Sequence, residues 1–181
     1  MSARLSWDEY YMGIARAVAV RSSCRRRQVG AIIVVNRAII ATGYNGTPVG
    51  VPNCDEGGCA RCAGDAAVGA AYDLCLCVHA EQNAVALAAR HGSSTDGGWL
   101  HCTLRPCFSC VKEIVQAGIR GVVYQDPFPY PLELEDQFDR LVRAARLELR
   151  RLSGDEDCPV CGPSCTGWPH RGARNLPPSE G

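Results

Sequence analysis

The sequence lacks an excess of charge of either sign: 19 Lys and Arg face 19 Asp and Glu over 181 residues. A surface built to wrap duplex nucleic acid needs a basic balance, so no nucleic-acid polymer is expected as a partner. A few local arginines would still suffice to hold one small anionic ligand. No run of 18 or more apolar residues occurs either, which argues against a membrane-spanning helix. The opening residues MSARLSWDEYYMG carry acidic groups early and lack an apolar stretch of the signal-peptide kind. The expectation is a soluble cytoplasmic protein with no membrane partner. Its hydrophobic content of 46% is ordinary for a globular chain, and its length suits one domain with a real core.

Cysteine is what the sequence has in quantity, with 12 residues. In a chain expected to stay in a reducing compartment, disulfides are disfavoured. The spacing favours metal: Cys59-x2-Cys62, Cys75-x-Cys77, Cys107-x2-Cys110 and Cys158-x2-Cys161-x3-Cys165.

Ser6 and Glu9 form a capping box that opens a helix through about Val20. A β-rich run from Val29 to Val35 and a second from Ala38 to Thr42 flank the short turn Asn36-Arg37, which predicts an antiparallel hairpin. Gly43 to about Leu76 reads as one long irregular stretch, a length that metal cross-linking would explain. His79 to Arg90 is rich in helix formers, and Trp99 to Thr103 is a short strand. Pro106 stands where a further helix starts, running to about Ala117 with Gly118 as its stop. A strand at Gly121–Tyr124, a helix at Glu133–Ala145 and a short strand at Leu147–Leu149 complete the pattern. The alternation predicts an α/β domain over residues 1–153, a three-layer α/β/α arrangement around a mixed sheet of about five strands. Residues 154–181 turn to Pro, Gly, Ser and Cys and read as a tail with little packing of its own.

Two segments carry chemistry: His79-Ala80-Glu81, and Pro106-Cys107-Phe108-Ser109-Cys110 about 25 residues on. Either alone is common. In this order, each at the start of a helix, they match the signature of zinc nucleobase deaminases. Catalytic zinc asks for three protein ligands and an open position, which His79, Cys107 and Cys110 supply. A helix N-terminus favours the thiolate forms of Cys107 and Cys110. Glu81 is near the metal without ligating it, the place for a carboxylate that shuttles protons. His91 and His101 stand outside any motif and read as surface or strand histidines. Cys102, in the apolar strand WLHCT, reads as a buried thiol.

The sequence resembles the deoxycytidylate (dCMP) deaminases of the cytidine-deaminase-like superfamily. The likeness lies in WDEYYMGIA, RSSCRRRQVGAIIV, ATGYNGTPVG with NCDEGGC, CVHAEQNAV, and TLRPCFSC with QAGI, over residues 7 to 125. It implies the cytidine-deaminase-like fold and hydrolysis of dCMP to dUMP and ammonia, supplying dUMP for thymidylate synthesis. It further implies a catalytic zinc, Asn45 as a contact to the nucleoside, a homo-oligomer, and dCTP or dTTP effectors acting with magnesium. A second, structural zinc is implied as well, with Cys24 and Cys54 as two of its ligands. Cys75 and Cys77 are the preferred remaining pair, and Cys59 and Cys62 the competing one. Arg25, Arg26 and Arg27 fit either a phosphate site or a solvated cluster. The insert GGCARCAGDAAVGAAYDLCLC resembles only part of the family. The tail CPVCGPSCTGWPH, with His170 after Cys165, suits an unstructured extension or a further zinc site. A deaminase of another nucleoside or base, and a non-catalytic zinc module, are the competing functions.

Overall fold

The computed structural model describes residues 4–65, 72–128 and 130–152. Cys158, Cys161, Cys165 and His170, and with them the whole proposed tail, lie outside the described residues. Among those described, no helix is long and apolar enough to cross a membrane.

The first helix, α1 (Trp7–Ala19), begins on the predicted capping box: the Ser6 hydroxyl accepts the Glu9 amide, and Glu9 accepts the Ser6 amide. β1 (Gly30–Val35) and β2 (Ala38–Tyr44) then form the expected antiparallel hairpin. Its two turn residues, Asn36 (φ 49°) and Arg37 (φ 67°), are both left-handed. That is the turn whose twist matches paired strands. The stretch predicted as irregular contains a short helix, α2 (Ala60–Ala63), and single turns at Cys54–Glu56 and Tyr72–Leu74. Next come α3 (Ala80–Arg90), β3 (Trp99–Leu104), α4 (Phe108–Gln116), β4 (Gly121–Asp126), α5 (Leu132–Ala144) and β5 (Glu148–Arg151).

The sheet order is β2-β1-β3-β4-β5, with β1 antiparallel to both neighbours and β3, β4 and β5 parallel. Parallel pairs need crossover connections, and α4 and α5 provide them. Alternating side chains feed two cores. On one face Tyr11, Met12 and Ala15 of α1 meet Ile32, Val34 and Val123. On the other, Ala80, Ala84 and Ala88 of α3, Val111 and Ile114 of α4 and Phe138 of α5 cover Ala31, Ile33, Leu100 and Val122.

Two glycines set how closely the helices approach. A Cβ on Gly30 would lie 2.1 Å from the Ala15 carbonyl oxygen, and one on Gly43 would lie 2.1 Å from that of Ala80. Each faces a helix on a different side of the sheet. The second contact matters for function, since α3 begins at Ala80 beside the His79-Ala80-Glu81 segment.

His101, on β3, is buried and bonds Asp8 Oδ1 through Nε2 at 3.1 Å. Asp8 also pairs with Arg150. Burial holds the imidazole below its ordinary range, against the pull of Asp8. The unfolded chain therefore takes up a proton near pH 6.5 that the folded chain refuses. Stability on this account is lost as pH falls below about 6.5, towards the lower folded value. His101→Phe should shrink the fall in Tm between about pH 7.5 and 5.5, measured beside the unaltered chain. An equal fall in both would assign the acid sensitivity to other groups.

Candidate active site

Two helix N-termini converge here. His79 is the N-cap of α3 (φ −74°, ψ 158°) and Cys107 the N-cap of α4 (φ −74°, ψ 165°). Pro106 thus stands before the cap rather than in the first turn, a correction of two residues to the predicted helix start. The reason is local: Cys107 Sγ accepts the Cys110 amide at 3.4 Å, taking the place of a hydroxyl or carboxylate cap.

The Sγ atoms of Cys107 and Cys110 each lie 3.4 Å from His79 Nδ1. Bonds of about 2.3 Å to sulfur and 2.0–2.1 Å to nitrogen give a tetrahedral S···N edge of roughly 3.5 Å. One nitrogen and two sulfurs at these separations therefore fit zinc. Without a metal the three groups divide their protons unevenly. Hydrogen bonding to Cys110, then to His79, brings the Cys107 thiol down to about 4 against the opposing effect of burial. The Cys110 thiol is pushed up beside it, and the bond to Cys107 raises His79. A metal must displace these protons, so its affinity should rise with pH.

Glu81, the second residue of α3, is 4% exposed. Burial pushes its carboxyl up to about 7, although its own amide and His79 pull the other way. Cys102 lies below it on β3, fully buried, with its thiol raised by burial and by Glu81. It is a core thiol outside the clusters able to hold a metal among the described residues.

A cavity of about 440 Å³ opens over these groups, and Asn45, Phe108, Phe128 and Tyr130 line it with Arg26, Arg27 and Arg105. Asn45 is buried and largely committed. Its Oδ1 accepts the Val29 amide and the Ser22 hydroxyl, both at 2.7 Å, and its Nδ2 donates to the Arg27 carbonyl at 2.8 Å. One amide hydrogen is left over. Arg26 and Arg27 line the cavity while Arg25 does not, a division that the run of three arginines could not reveal.

The family model for the cytidine and deoxycytidylate deaminase zinc-binding region matches residues 5–126. The chain belongs to this deaminase family. It is 42% identical over 154 residues to the deoxycytidylate deaminase of Schizosaccharomyces pombe, covering 85% of this chain and 46% of that protein. The chain thus spans about half the length of that relative. The deoxycytidylate deaminase of Mycobacterium phage D29 is 40% identical over 127 residues, 67% of this chain and 96% of that one. Among solved structures, the dCMP deaminase of cyanophage S-TIM5 in complex with dCMP and dUMP superposes with a TM-score of 0.65. It is 33% identical, with 83% of this chain and 99% of the other covered. The fold is thereby the cytidine-deaminase-like one expected from the motifs.

Around the deaminase motifs the structure adds residues that their spacing did not reveal. Gln82 accepts the His79 amide at 3.0 Å and donates to Glu113 at 2.8 Å, tying the start of α3 to α4. Its place three residues after the cap was a legible capping-box signal. Ser22, which holds Asn45, had no such signal. Nor did Arg105, whose bidentate bonds to Glu135 (3.1 and 2.6 Å) join residues 30 apart in sequence. Its guanidinium also covers the Phe138 ring at 4.1 Å and donates to the Phe128 carbonyl at 3.3 Å. Arg105 therefore braces the cavity wall that carries Phe128 and Tyr130. Arg105→Lys keeps the charge but loses the fork. It should cost about 1.5–3 kcal/mol of stability and raise KM more than it lowers kcat, as melts and steady-state kinetics would read.

The other described cysteines, Cys102 apart, gather beside the same cavity, which Cys24, Cys62, Cys75 and Cys77 help to line. Cys24, Cys54, Cys62 and Cys77 form one group able to hold a metal, and Cys59, Cys62, Cys75 and Cys77 another. The second unites the Cys59-x2-Cys62 and Cys75-x-Cys77 pairs. Of the preferred set, Cys24, Cys54 and Cys77 fall together in the first group, which Cys62 completes, and Cys75 falls with Cys77 in the second. The short helix α2 causes this, because it turns Cys62 inward to 4.0 Å from both Cys24 and Cys77.

Proposed function

We propose that the chain deaminates dCMP to dUMP, water entering and ammonia leaving. The observation that carries this is the His79–Cys107–Cys110 triangle beside a buried Glu81 at the floor of a nucleotide-sized cavity. The dCMP-bound cyanophage relative supports the choice of substrate.

His79, Cys107 and Cys110 would hold zinc, which when bound supplies Lewis-acid activation of water near neutral pH. Glu81 then does the proton work. It takes the proton from the attacking water and returns protons to the ring nitrogen and to the departing amine at C4. A carboxyl raised towards neutrality by burial suits a group that must both accept and donate. Phe108, Phe128 and Tyr130 would offer apolar and aromatic surface to the pyrimidine, and Asn45 has one amide hydrogen left for the sugar. Arg27, which lines the cavity, would contact the phosphate, since the Arg26 guanidinium already bonds the Arg61 and Gly64 carbonyls.

Ammonia release from dCMP, deoxycytidine and cytidine tests the reading. The expected result is a preference for dCMP that Arg27→Ala erodes through KM. Turnover of deoxycytidine as fast as dCMP would overturn the nucleotide specificity and leave the deaminase assignment standing.

The same reading includes a structural metal in the cysteine cluster, a cytoplasmic setting, and regulation by dCTP or dTTP with magnesium. It also includes a homo-oligomer, supported by the adjacent exposed aromatics Trp7 and Tyr10, 46% and 47% exposed. Sedimentation with and without nucleotide tests the last two points.

A further inference from the structure

The two four-cysteine groups beside the cavity share Cys62 and Cys77, so six sulfurs form one continuous cluster. Cys62 Sγ lies 4.0 Å from Cys24, 3.8 Å from Cys75 and 4.0 Å from Cys77, and Cys59 lies 3.9 Å from Cys75. A tetrahedron of thiolates with zinc–sulfur bonds of about 2.3 Å has edges of roughly 3.8 Å. These spacings are tetrahedral edges throughout, and far from the 2.03–2.05 Å of a disulfide.

We propose that the cluster holds two zinc ions as one binuclear centre, bridged by the thiolates of Cys62 and Cys77. Cys24 and Cys54 complete the sphere of one ion, and Cys59 and Cys75 that of the other. Two tetrahedra sharing an edge consume all six sulfurs and leave neither ion an open position. A single ion would consume only four. Two further cysteines would then stay beside it, with Cys54 and Cys59 both at 0% exposure.

A second observation points the same way. Among the described residues, the buried cluster formed by Cys54, Cys59, Cys62 and Cys77 has only Cys24 and Cys75 packed against it, with no aliphatic or aromatic side chain. Among the described residues this lobe has no apolar core, so burial cannot offset the entropy of ordering it. Metal binding can. The six thiolates and two divalent ions would leave the centre anionic. Arg25 and Arg61 adjoin its ligands in sequence, and Arg26 bonds backbone carbonyls at the end of α2. Cys77 lies two residues before His79, and Val78 between them pairs with Gly46. The centre would thereby brace one wall of the cavity without entering the chemistry.

Metal content of the full chain, with Cys158, Cys161 and Cys165 replaced by Ser so that the tail adds no thiolates, tests this. The expected content is two zinc ions per chain beyond the catalytic one. Cys24→Ser and Cys59→Ser should each lower it, whereas a single ion in either of the two four-cysteine groups leaves one of those two variants unchanged. Cys62→Ser should release both. Should a variant not fold, cadmium-113 exchanged into the parent chain gives an independent reading: bridging thiolates split the two resonances by metal–metal coupling. One non-catalytic zinc, no loss in either terminal variant, or uncoupled cadmium resonances would overturn the proposal.

Discussion

Glu81→Gln should abolish deamination while leaving the zinc content of the chain intact. General acid–base catalysis contributes about 10²–10⁴-fold, and one carboxylate acting at several proton transfers should lie at or beyond the upper end. The amide preserves size and some hydrogen bonding but can neither accept nor deliver the proton. Melting temperature should not fall, and a small rise is expected. The native carboxyl is buried and pushed up to about 7, which means that its charge is poorly tolerated in the fold. A neutral side chain removes that cost, the usual trade of stability against activity. Metal analysis, a melt and an ammonia assay on one preparation separate the outcomes. Activity within about threefold of the parent would remove Glu81 from the proton-transfer role, whatever the metal content.

The second large effect is expected from backbone packing rather than from the loss of an ionisable group. In Gly43→Val the new Cβ would meet the Ala80 carbonyl oxygen at 2.1 Å and the Ala84 amide nitrogen at 2.4 Å. These are backbone atoms of α3, and they cannot swing aside as a side-chain end can. The helix must lift from β2 and carry with it the cap His79 and the following Glu81. Overpacking costs about 1–3 kcal/mol where side chains yield, and the cost here should reach or exceed that. Loss of catalytic zinc and of turnover should accompany it, because His79 Nδ1 would leave its place 3.4 Å from both sulfurs. Gly13→Ala is the control. Nothing lies within 4 Å of its added Cβ, and relief of a mid-helix glycine in α1 should stabilise by about 0.5–1 kcal/mol. Similar melts for the two variants would reject the close-packing account.

Much of the fold was legible because its signals are local. The Ser6–Glu9 box, the Asn36-Arg37 turn and the left-handed Gly118 after α4 (φ 73°) all act within a few residues. The candidate site was legible for a related reason. His79 and Glu81 share one helix start, and Cys107 and Cys110 another, so only one long-range contact had to be inferred. Where the reading failed, the interaction joined distant segments. Arg105 with Glu135, and Ser22 with Asn45, have no periodicity to betray them.

The cysteine cluster shows the division most clearly. Six cysteines spaced between residues 24 and 77 point to a metal, because thiols in those patterns are common metal ligands. Which four surround one ion is another matter. The choice depends on how α2 turns Cys62 and on how Val78 pairs with Gly46 to fix Cys77. The sequence by itself determined the family, the three residues that fit a metal and the carboxylate two positions from one of them. Tertiary structure alone decided the sulfur sets, the arginines that reach the cavity and the wall that closes it. Ligand type is written in side-chain chemistry, whereas ligand partnership is a distance, and distances across a loop exist only once the chain has folded.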